Sequence, residues 1–260
     1  MKKYFTKQKN TYGLSIVIPV YNEKINLKIL IPKIYQILKV KKFEILIVDD
    51  DSNDGTKQLL KKMLLLFKNL KYISRKTKPR DLSKSCVLGF NKSKYANILV
   101  MDGDLQHKPK DISKLYSVFS KKNCDIVVGS RNLFRKKNKG LKYYRLVSSI
   151  LLIIIVNVLL GFKTEDPMSG FFIFKKEVYL KKKKYLFNKG YKILLDLIYS
   201  SKEDLKILDV VINFNSRSGG SSKLNYKVIY FLSVIIIQKF LFRIIGIFKW
   251  FYFFYVLDLK

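Results

Sequence analysis

Short apolar runs alternate with helix-like periodicity through the first half of the chain. Leu14–Val20, which is apolar apart from Ser15, is rich in β-branched residues, which predicts a fully buried strand. After it, apolar residues recur at helical spacing between 27 and 37, and Asn22 is expected to cap that helix. The same order of strand, polar turn and helix repeats along FEILIVDDDSNDGT. Further strands are predicted at 71–74, at 98–101 and in DIVVGSR, and further helices at about 56–67, 83–92 and 111–120.

This alternation predicts an α/β fold in which helices cover both faces of a mostly parallel sheet. Charged side chains follow the predicted strands: aspartates at 49–51, then Asp102 and Asp104, then Arg131. Ligands of such sheets bind beyond the carboxyl ends of the strands. The sequence therefore predicts a site at that edge, built from acids and at least one arginine.

Long apolar segments dominate the second half. Residues 146–162, LVSSILLIIIVNVLLGF, are almost purely apolar between basic flanks. A bilayer span needs about 20 residues, so this segment could be a core helix or a span, and we expect a helix lying in a membrane interface.

The C-terminal tail, from 228 to 257, is apolar and aromatic. Its Lys239, Arg243 and Lys249 can line roughly one side of a helix. We expect an interfacial helix whose basic edge faces lipid headgroups, with a span over 228–248 as the alternative. The lysine run at 181–184 is interpreted as a solvated face.

Lysine dominates the charge of the protein. The chain of 260 residues carries 52 Lys and Arg against 19 Asp and Glu, and only seven of the basic residues are arginines. Because arginine is the usual residue for bidentate recognition of bases and phosphates, this excess favours an anionic membrane surface, or a compositional bias of the source genome, over nucleic acid. A hydrophobic fraction of 48% excludes a disordered chain.

Cysteine usage and the N-terminus suggest an intracellular setting. Cys86 and Cys124 form no CxxC pair, and with one histidine the chain cannot assemble a zinc site. We expect a reduced compartment. The first apolar run is short and no small-residue cleavage site follows it, so no signal peptide is expected.

The stretch DGDLQH, 102–107, is the strongest candidate for chemistry. Asp102 and Asp104 follow a buried strand one residue apart, where they would repel each other unless paired. With Gln106 they form a set of oxygen donors that suits Mg²⁺ or Mn²⁺. The alternative is an acidic turn with helix-capping aspartates, and His107 is interpreted as structural.

Several motifs accompany this stretch in a fixed order. They are VIPVYNE, VDDDSNDGT, DGDLQH, GSR, DPMSGFF and RSGGSSKL. Together they resemble the family-2 glycosyltransferases of the dolichol- or polyprenyl-phosphate mannosyltransferase type, over about residues 13–225. The resemblance implies a GT-A fold, a Rossmann-like nucleotide-binding α/β sandwich, with membrane-interface helices.

The resemblance also implies roles for individual residues. Nucleotide-binding positions are Pro19, Tyr21, Glu23, Asp50, Asp102 and Gly103. The metal and diphosphate site would hold Mg²⁺ or Mn²⁺ at Asp102, Asp104 and Gln106. Catalytic positions are Asp104 together with the phosphate-gripping Arg131, Arg217 and Lys223.

The implied reaction is the inverting transfer of a hexose, with mannose from GDP-mannose expected, to a polyprenyl or dolichyl phosphate. A nucleotide-sugar donor, a polyprenyl-phosphate acceptor and a membrane surface are the expected partners, with no nucleic acid, and the expected location is the cytoplasmic face of a membrane. We expect a catalytic domain over 1–225 and a membrane-associating tail over 226–260. The alternatives are the same fold acting on UDP-glucose or another nucleotide sugar, and a non-enzymatic basic protein that binds anionic membrane or nucleic acid.

The sequence departs from the pattern of the family at three places. It has DGD where the family usually has DAD, and HKPKD where two prolines and a glutamate usually follow the histidine. TKPRDLSKS replaces the glycine-rich stretch expected before the third helix, which weakens the case for close backbone approach to the nucleotide there. The tail is also shorter than the paired spans or extra domain of some relatives.

Overall fold

The protein is described here from a computed structural model, which covers residues 13–131, 143–200, 204–213 and 226–245. The strands are β1 (Leu14–Val20), β2 (Phe43–Asp49), β3 (Leu70–Ser74), β4 (Asn97–Val100), β5 (Ile126–Ser130), β6 (Phe172–Lys175) and β7 (Ile207–Val211). The helices are α1 (Lys24–Ile37), α2 (Thr56–Leu66), α3 (Leu82–Lys92), α4 (Lys110–Lys122), α5 (Tyr143–Leu160), α6 (Lys176–Lys182), α7 (Ile193–Tyr199) and α8 (Tyr226–Ile245), with a 3-10 turn at Lys183–Tyr185 after α6.

The strands form one sheet in the order β3-β2-β1-β4-β6-β5-β7. Among the described strands only β6 is antiparallel to its neighbours, which are β4 and β5. The predicted α/β fold with a mostly parallel sheet is confirmed. Because β6 runs against β4 and β5, the loop before it reaches the edge at which those strands end.

Two apolar cores lie on the two faces of the sheet. Side chains of β1 alternate between them: Ile16 and Ile18 join the core with α1, α2 and α4, whereas Val17 joins the core with α3, α5, α7 and α8. This alternation follows from the period of two along a strand. Since both faces are covered, every residue of β1 is buried, including Ser15, whose hydroxyl donates to Glu44.

The start of α1 differs from the prediction. Helix α1 begins at Lys24, and Asn22 lies two residues before it with φ of 57°. The side chain of Asn22 accepts a hydrogen bond from the Asn53 backbone instead of capping the helix. A cap comes from another segment, since the backbone N–H of Lys24 donates to Asp54 at 3.0 Å. The prediction for Asn22 was wrong because the loop after β2 supplies the acceptor.

Helices α5 and α8 pack against each other, and both contribute to the core that α3 and α7 also line. Each also leaves apolar side chains in solvent, among them Val158 on α5 and Ile229 on α8, at 75% and 64% exposure. Within the residues described here, no helix combines the length and apolar character needed to cross a membrane. The boundary expected at 225/226 stays a prediction, although Leu232 and Ile235 of α8 lie in the core of the preceding residues.

The basic edge predicted for the tail is wrong at Lys239. That side chain is 2% exposed, and its ammonium lies 2.7 Å from Asp196 of α7 and donates to Ser200 at 2.8 Å. Arg243 donates to the carbonyl of Leu159 near the end of α5. Lys239 therefore binds inside the fold, whereas Arg243 stays exposed while it contacts α5. Lys249 lies outside the described residues.

The lysine run at 181–184 is only partly a solvated face. Lys181, Lys183 and Lys184 are exposed, but Lys182 is buried. The helical turn of α6 places this one side chain toward the protein, so the prediction was wrong at Lys182.

Candidate active site

The candidate site lies at the edge where the parallel strands end. β1, β2, β4 and β5 all deliver their carboxyl ends there, and the register pairs Val100 and Val128 with Phe172 at the start of β6. The loop that precedes β6, residues 164–171, therefore lies beside the residues that follow β4 and β5. Its Asp166 and Gly170 complete the site.

Asp102 is seated against the backbone of Gly170. A Cβ at position 170 would lie 2.4 Å from Asp102 Oδ2, a separation that atoms cannot adopt. His107 Nε2 lies 3.7 Å from the same oxygen, and the buried imidazole stacks on Phe171 with ring centroids 5.0 Å apart. The Asp102 side chain remains 37% exposed, so this carboxylate is partly open to a ligand while its back is packed.

Asp104 is more deeply placed than Asp102. It is 4% exposed, and its Oδ1 accepts a hydrogen bond from the backbone N–H of Gln106 at 3.2 Å. Between them Leu105 adopts φ of 63°, which folds the chain back over Asp104. Gln106 is thus held directly beside Asp104.

The donors of this stretch fit a hard divalent cation. Carboxylates and an amide are oxygen ligands of the kind that Mg²⁺ and Mn²⁺ prefer. Because Gly170 has no Cβ, there is room beside it for the carboxylate of Asp102. Within the described part of the chain, no three His, Cys, Asp or Glu side chains form a metal-binding group. Two carboxylates and an amide would leave coordination positions for water and substrate phosphate.

Gly103 separates the two aspartates and packs against β1. A Cβ there would lie 2.9 Å from Val20 Cγ1. The glycine therefore lets the turn after β4 approach the end of β1 closely. Its predicted contact with nucleotide stays a prediction.

Arg131 forms a buried ion pair with Asp166. Its Nε donates to Asp166 Oδ2 at 2.6 Å and its Nη2 to Oδ1 at 2.8 Å, and the two side chains are 12% and 1% exposed. Burial alone would raise the pKa of Asp166, but the charge and hydrogen bonds of Arg131 hold that pKa below its ordinary value. This bidentate pair fixes the plane of the guanidinium, as is typical of arginine and carboxylate.

Lys192 is a further cation of this site that the sequence did not reveal. Its ammonium donates to the carbonyl of Met168 at 3.2 Å. Burial, and then the charge of Arg131, lower the pKa of Lys192 to about 8, against the opposing effects of Asp166 and Asp102. These interactions place Lys192 within electrostatic reach of Arg131, Asp166 and Asp102. The only signal in the sequence was one lysine after Gly190 at the start of a helical run, among 45 lysines in the chain.

The acids after β2 are already engaged. Both oxygens of the buried Asp50 accept hydrogen bonds, one from Arg75 and one from the Asp81 backbone at 2.7 Å. Asp51 is exposed and pairs with Lys78, which lowers the pKa of Asp51. The buried Asp50 thus holds Arg75 and the backbone of Asp81 in place, whereas Asp51 faces solvent.

The motif at the end of β1 supplies an aromatic ring and an acid. Pro19 is buried within the strand, opposite Val48. Tyr21 follows the strand, and the guanidinium of Arg80 lies 4.2 Å from its ring centroid. Glu23 accepts a hydrogen bond from Asn26 at 2.6 Å. Roles for Pro19, Tyr21 and Glu23 in nucleotide binding stay predictions.

Two predicted phosphate-binding residues cannot be placed. Arg217 and Lys223 lie outside the described residues. The structure therefore brings together Asp102, His107, Gly170, Arg131 and Lys192, with Asp104 and Gln106 in the adjacent turn.

The fold and this site correspond to a known class of protein. The family model for glycosyl transferase family 2 matches residues 15–181. The chain belongs to glycosyltransferase family 2. The family expected from the sequence motifs is confirmed.

Within the family the chain is similar to dolichol-phosphate mannosyltransferases. It is 36% identical to the enzyme of that name from Pyrococcus furiosus over 219 residues, 84% of this chain and 60% of the relative. It is 31% identical to the one from Saccharomyces cerevisiae over 227 residues, 83% of this chain and 82% of the relative. The chain thus spans less than two thirds of the P. furiosus relative and most of the yeast one.

Solved structures confirm the GT-A fold. Glucosyl-3-phosphoglycerate synthase from Mycobacterium tuberculosis, solved with Mn²⁺, UDP and glucosyl-3-phosphoglycerate, superposes with a TM-score of 0.64. Identity is 18%, and the match covers 90% of this chain and 81% of that one.

Proposed function

We propose that the protein transfers mannose from GDP-mannose to a polyprenyl or dolichyl phosphate, with inversion at the anomeric carbon. The names of the relatives support the sugar and the acceptor class. The observation that carries the proposal is the grouping of Asp102 with Arg131 and Lys192 at the carboxyl edge of the sheet. Diphosphate departure requires an acidic side chain that binds the divalent cation, and basic side chains that bind the phosphates.

Arg131 and Lys192 would act on phosphate oxygens. Negative charge grows on the diphosphate as it leaves, and fixed cations stabilise that charge where it develops. Arg131 is held by Asp166 before substrate arrives, so it need not reorganise during the reaction. Lys192, with a pKa of about 8, still carries its charge at neutral pH.

Asp102, Asp104 and Gln106 are the residues that would hold Mg²⁺ or Mn²⁺. Bound there, the cation would neutralise part of the charge on the diphosphate. Asp102, whose side chain is 37% exposed and packs against Gly170, would supply a carboxylate oxygen to that cation. Asp104 would be oriented by the N–H of Gln106.

The acceptor phosphate needs no strong general base. A phosphate has a second pKa of about 6, so its oxygen is already anionic at neutral pH. His107 is 1% exposed and stacked on Phe171, which suits a supporting position behind Asp102. The phosphate oxygen would then attack the anomeric carbon in line with the departing diphosphate.

A membrane-associated location follows from the acceptor. A polyprenyl tail stays in the bilayer, so the site must lie against the surface. The exposed apolar side chains of α5 and α8, including Val158 and Ile229, give the protein a surface for that contact. We place the protein on the cytoplasmic face, where nucleotide sugars and anionic lipid are both expected.

A donor panel tests this proposal. Membranes that contain the protein are incubated with Mn²⁺, a short polyprenyl phosphate and, separately, labelled GDP-mannose, UDP-glucose and other nucleotide sugars. Label should enter the organic phase with GDP-mannose alone. Transfer from UDP-glucose instead would refute the donor, and no transfer from any donor would refute the enzyme.

Two variants separate transfer from simple polyanion binding. Asp102→Ala should abolish transfer while binding to anionic vesicles persists. Asp125→Asn, a matched carboxylate beside the opposite end of β5 that pairs with Lys175, should leave transfer near wild type. Equal transfer by wild type and Asp102→Ala would remove the site from the reaction.

A further inference from the structure

Asp81 occupies the stretch in which the sequence departs from the family pattern. It takes the N-cap position of α3, and its Oδ1 accepts from the backbone N–H of Lys84 at 3.0 Å. Its Oδ2 accepts from the backbone N–H of Gly190 at 2.7 Å. One buried carboxylate therefore joins the start of α3 to a loop more than 100 residues later in the chain.

Gly190, the residue that Asp81 binds, forms hydrogen bonds through both its backbone N–H and its backbone carbonyl. The carbonyl of Gly190 accepts from the backbone N–H of Ser83 at 3.0 Å, so the N–H and the C=O of Gly190 both bind α3. Gly190 has φ of 92°, and a Cβ there would lie 3.0 Å from Phe231. The turn is thus fixed by two hydrogen bonds and by a conformation that favours glycine.

The other end of the loop is held by Asp196 of α7. Its carboxylate accepts from the backbone N–H groups of Phe187 and Asn188 at 3.0 and 2.9 Å, and pairs with Lys239. Buried carboxylates therefore hold the segment 187–192 at two places, at 187–188 and at 190. Lys192 is the last residue of this segment before α7 begins.

Asp81 is also linked to the nucleotide end of the site. Its own backbone N–H donates to Asp50 at 2.7 Å. This bond does not depend on the side chain at position 81, so it survives any non-proline substitution there. The side chain of Asp81 therefore binds the loop at Gly190, whereas its backbone N–H binds Asp50.

We propose that Asp81 is a positioning residue, whose carboxylate holds Gly190 and thereby places the ammonium of Lys192 beside Asp102 and Arg131. This proposal rests on the proposed function in so far as Lys192 meets a substrate phosphate. It accounts for the aspartate in TKPRDLSKS as an anchor that replaces the expected glycines. Asp81 touches neither substrate nor cation in this arrangement.

Asp81→Ser separates the two bonds of the carboxylate. Serine is itself a good N-cap, so the bond to Lys84 and the start of α3 are retained. Its single, shorter hydroxyl cannot reach Gly190 at the same time. Asp81→Asn is the intermediate variant, because it keeps one acceptor oxygen and presents an NH₂ group, which cannot accept, to the other N–H.

The first readout is hydrogen exchange of the full chain, which needs no transfer activity. In Asp81→Ser, amides of 187–192 should exchange faster, while those of α3 exchange as in wild type. Unchanged exchange in 187–192, or faster exchange throughout α3 as well, would overturn the proposed anchor.

The second readout is transfer kinetics with GDP-mannose and polyprenyl phosphate. Asp81→Ser should lower kcat/KM about 10-fold to 100-fold, as expected for a misplaced catalytic group. Asp81→Ser combined with Lys192→Ala should be no worse than Lys192→Ala alone. Multiplied losses in the double variant would show that Asp81 acts on something other than Lys192. If wild type transfers no sugar, the proposed function fails and the exchange result still decides the anchor.

Discussion

The ion pair between Arg131 and Asp166 gives a prediction whose size and pH dependence both follow from the structure. Asp166→Asn keeps the shape of the side chain but removes its charge. Arg131, 12% exposed, then loses one of its two hydrogen bonds, at 2.6 and 2.8 Å, because the amide has a single acceptor oxygen, and the other is no longer made to a charged acceptor. Its own charge stays buried.

The expected loss of stability is at the lower end of the range for such a change. Removing one partner of a buried pair typically costs about 3–5 kcal/mol. Asp102 remains near Arg131 and compensates part of its charge, so we expect about 3 kcal/mol. For a domain of this size each kcal/mol lowers Tm by about 2–4 °C, which gives a drop of about 6–12 °C.

Asp209 of β7 provides a matched control, because its carboxylate binds the loop that carries Asp166. Its carboxylate accepts hydrogen bonds from the Thr164 hydroxyl and from the backbone N–H of Glu165. Burial is the main influence on the pKa of Asp209 and raises it. Asp209→Asn loses one of two hydrogen bonds and no ion pair, which should cost about 1 kcal/mol. Both substitutions replace a carboxylate with an amide. At position 166 the lost charge faces Arg131, whereas at position 209 burial disfavours the charge.

The two variants should depend on pH with opposite sign. The folded pKa of Asp166 is lowered, so its contribution is present above the unfolded pKa of about 4 and is lost as pH falls through the folded value. The folded pKa of Asp209 is raised, so its contribution is present below the unfolded pKa and is lost as pH rises through the folded value. The stability gap between wild type and Asp166→Asn should therefore shrink as pH falls below about 5 toward the lowered folded pKa of Asp166, while the gap for Asp209→Asn grows as pH falls from 7.

Thermal and urea unfolding of the two variants beside wild type, at several pH values, measure these gaps. Equal losses at pH 7, or a gap for Asp166→Asn that does not depend on pH, would refute the assignment of a stabilising charge pair.

Three further substitutions test other parts of the site. Lys192→Arg should remove an alkaline fall in kcat/KM near pH 8, because Lys192 with a pKa of about 8 loses its charge as pH rises and arginine does not; an unchanged pH profile would contradict that role. Lys239→Met should lower the free energy of unfolding by about 3 kcal/mol, since it leaves Asp196 charged and buried, and urea unfolding within 1 kcal/mol of wild type, about the size of one hydrogen bond, would contradict it. Gly170→Ala should displace Asp102 and weaken GDP binding with Mn²⁺ about 10-fold in calorimetry, with far-UV circular dichroism intact. Wild-type affinity there would show that Asp102 need not sit against residue 170.

Sequence patterns predicted the sheet because its strands are short apolar runs with polar ends. The bounds of β1 match the apolar run Leu14–Val20 residue for residue. The direction of β6 could not be predicted, because the four residues FIFK read the same for a parallel and an antiparallel strand. That direction decides whether Asp166 and Gly170 reach the site.

The errors and omissions in the prediction share a physical cause. Asn22 and Lys239 were assigned from their own helices, but the groups that bind them belong to segments distant in sequence. Lys192 could not be distinguished from the other lysines, since its lowered pKa arises from burial by the fold and then from the charge of Arg131. Local patterns thus located the acids, and tertiary contacts decided which cations join them.

Binding of Mn²⁺ in the presence of GDP tests the central claim most directly. Free Mn²⁺ is followed by electron paramagnetic resonance as protein is added, with wild type, Asp102→Asn, Asp104→Asn and the control Asp125→Asn. Wild type and Asp125→Asn should bind Mn²⁺ tightly only when GDP is present, and both site variants should lose that binding. Retention of GDP-dependent Mn²⁺ binding by Asp102→Asn and Asp104→Asn would contradict the assignment of these aspartates to the metal and diphosphate site.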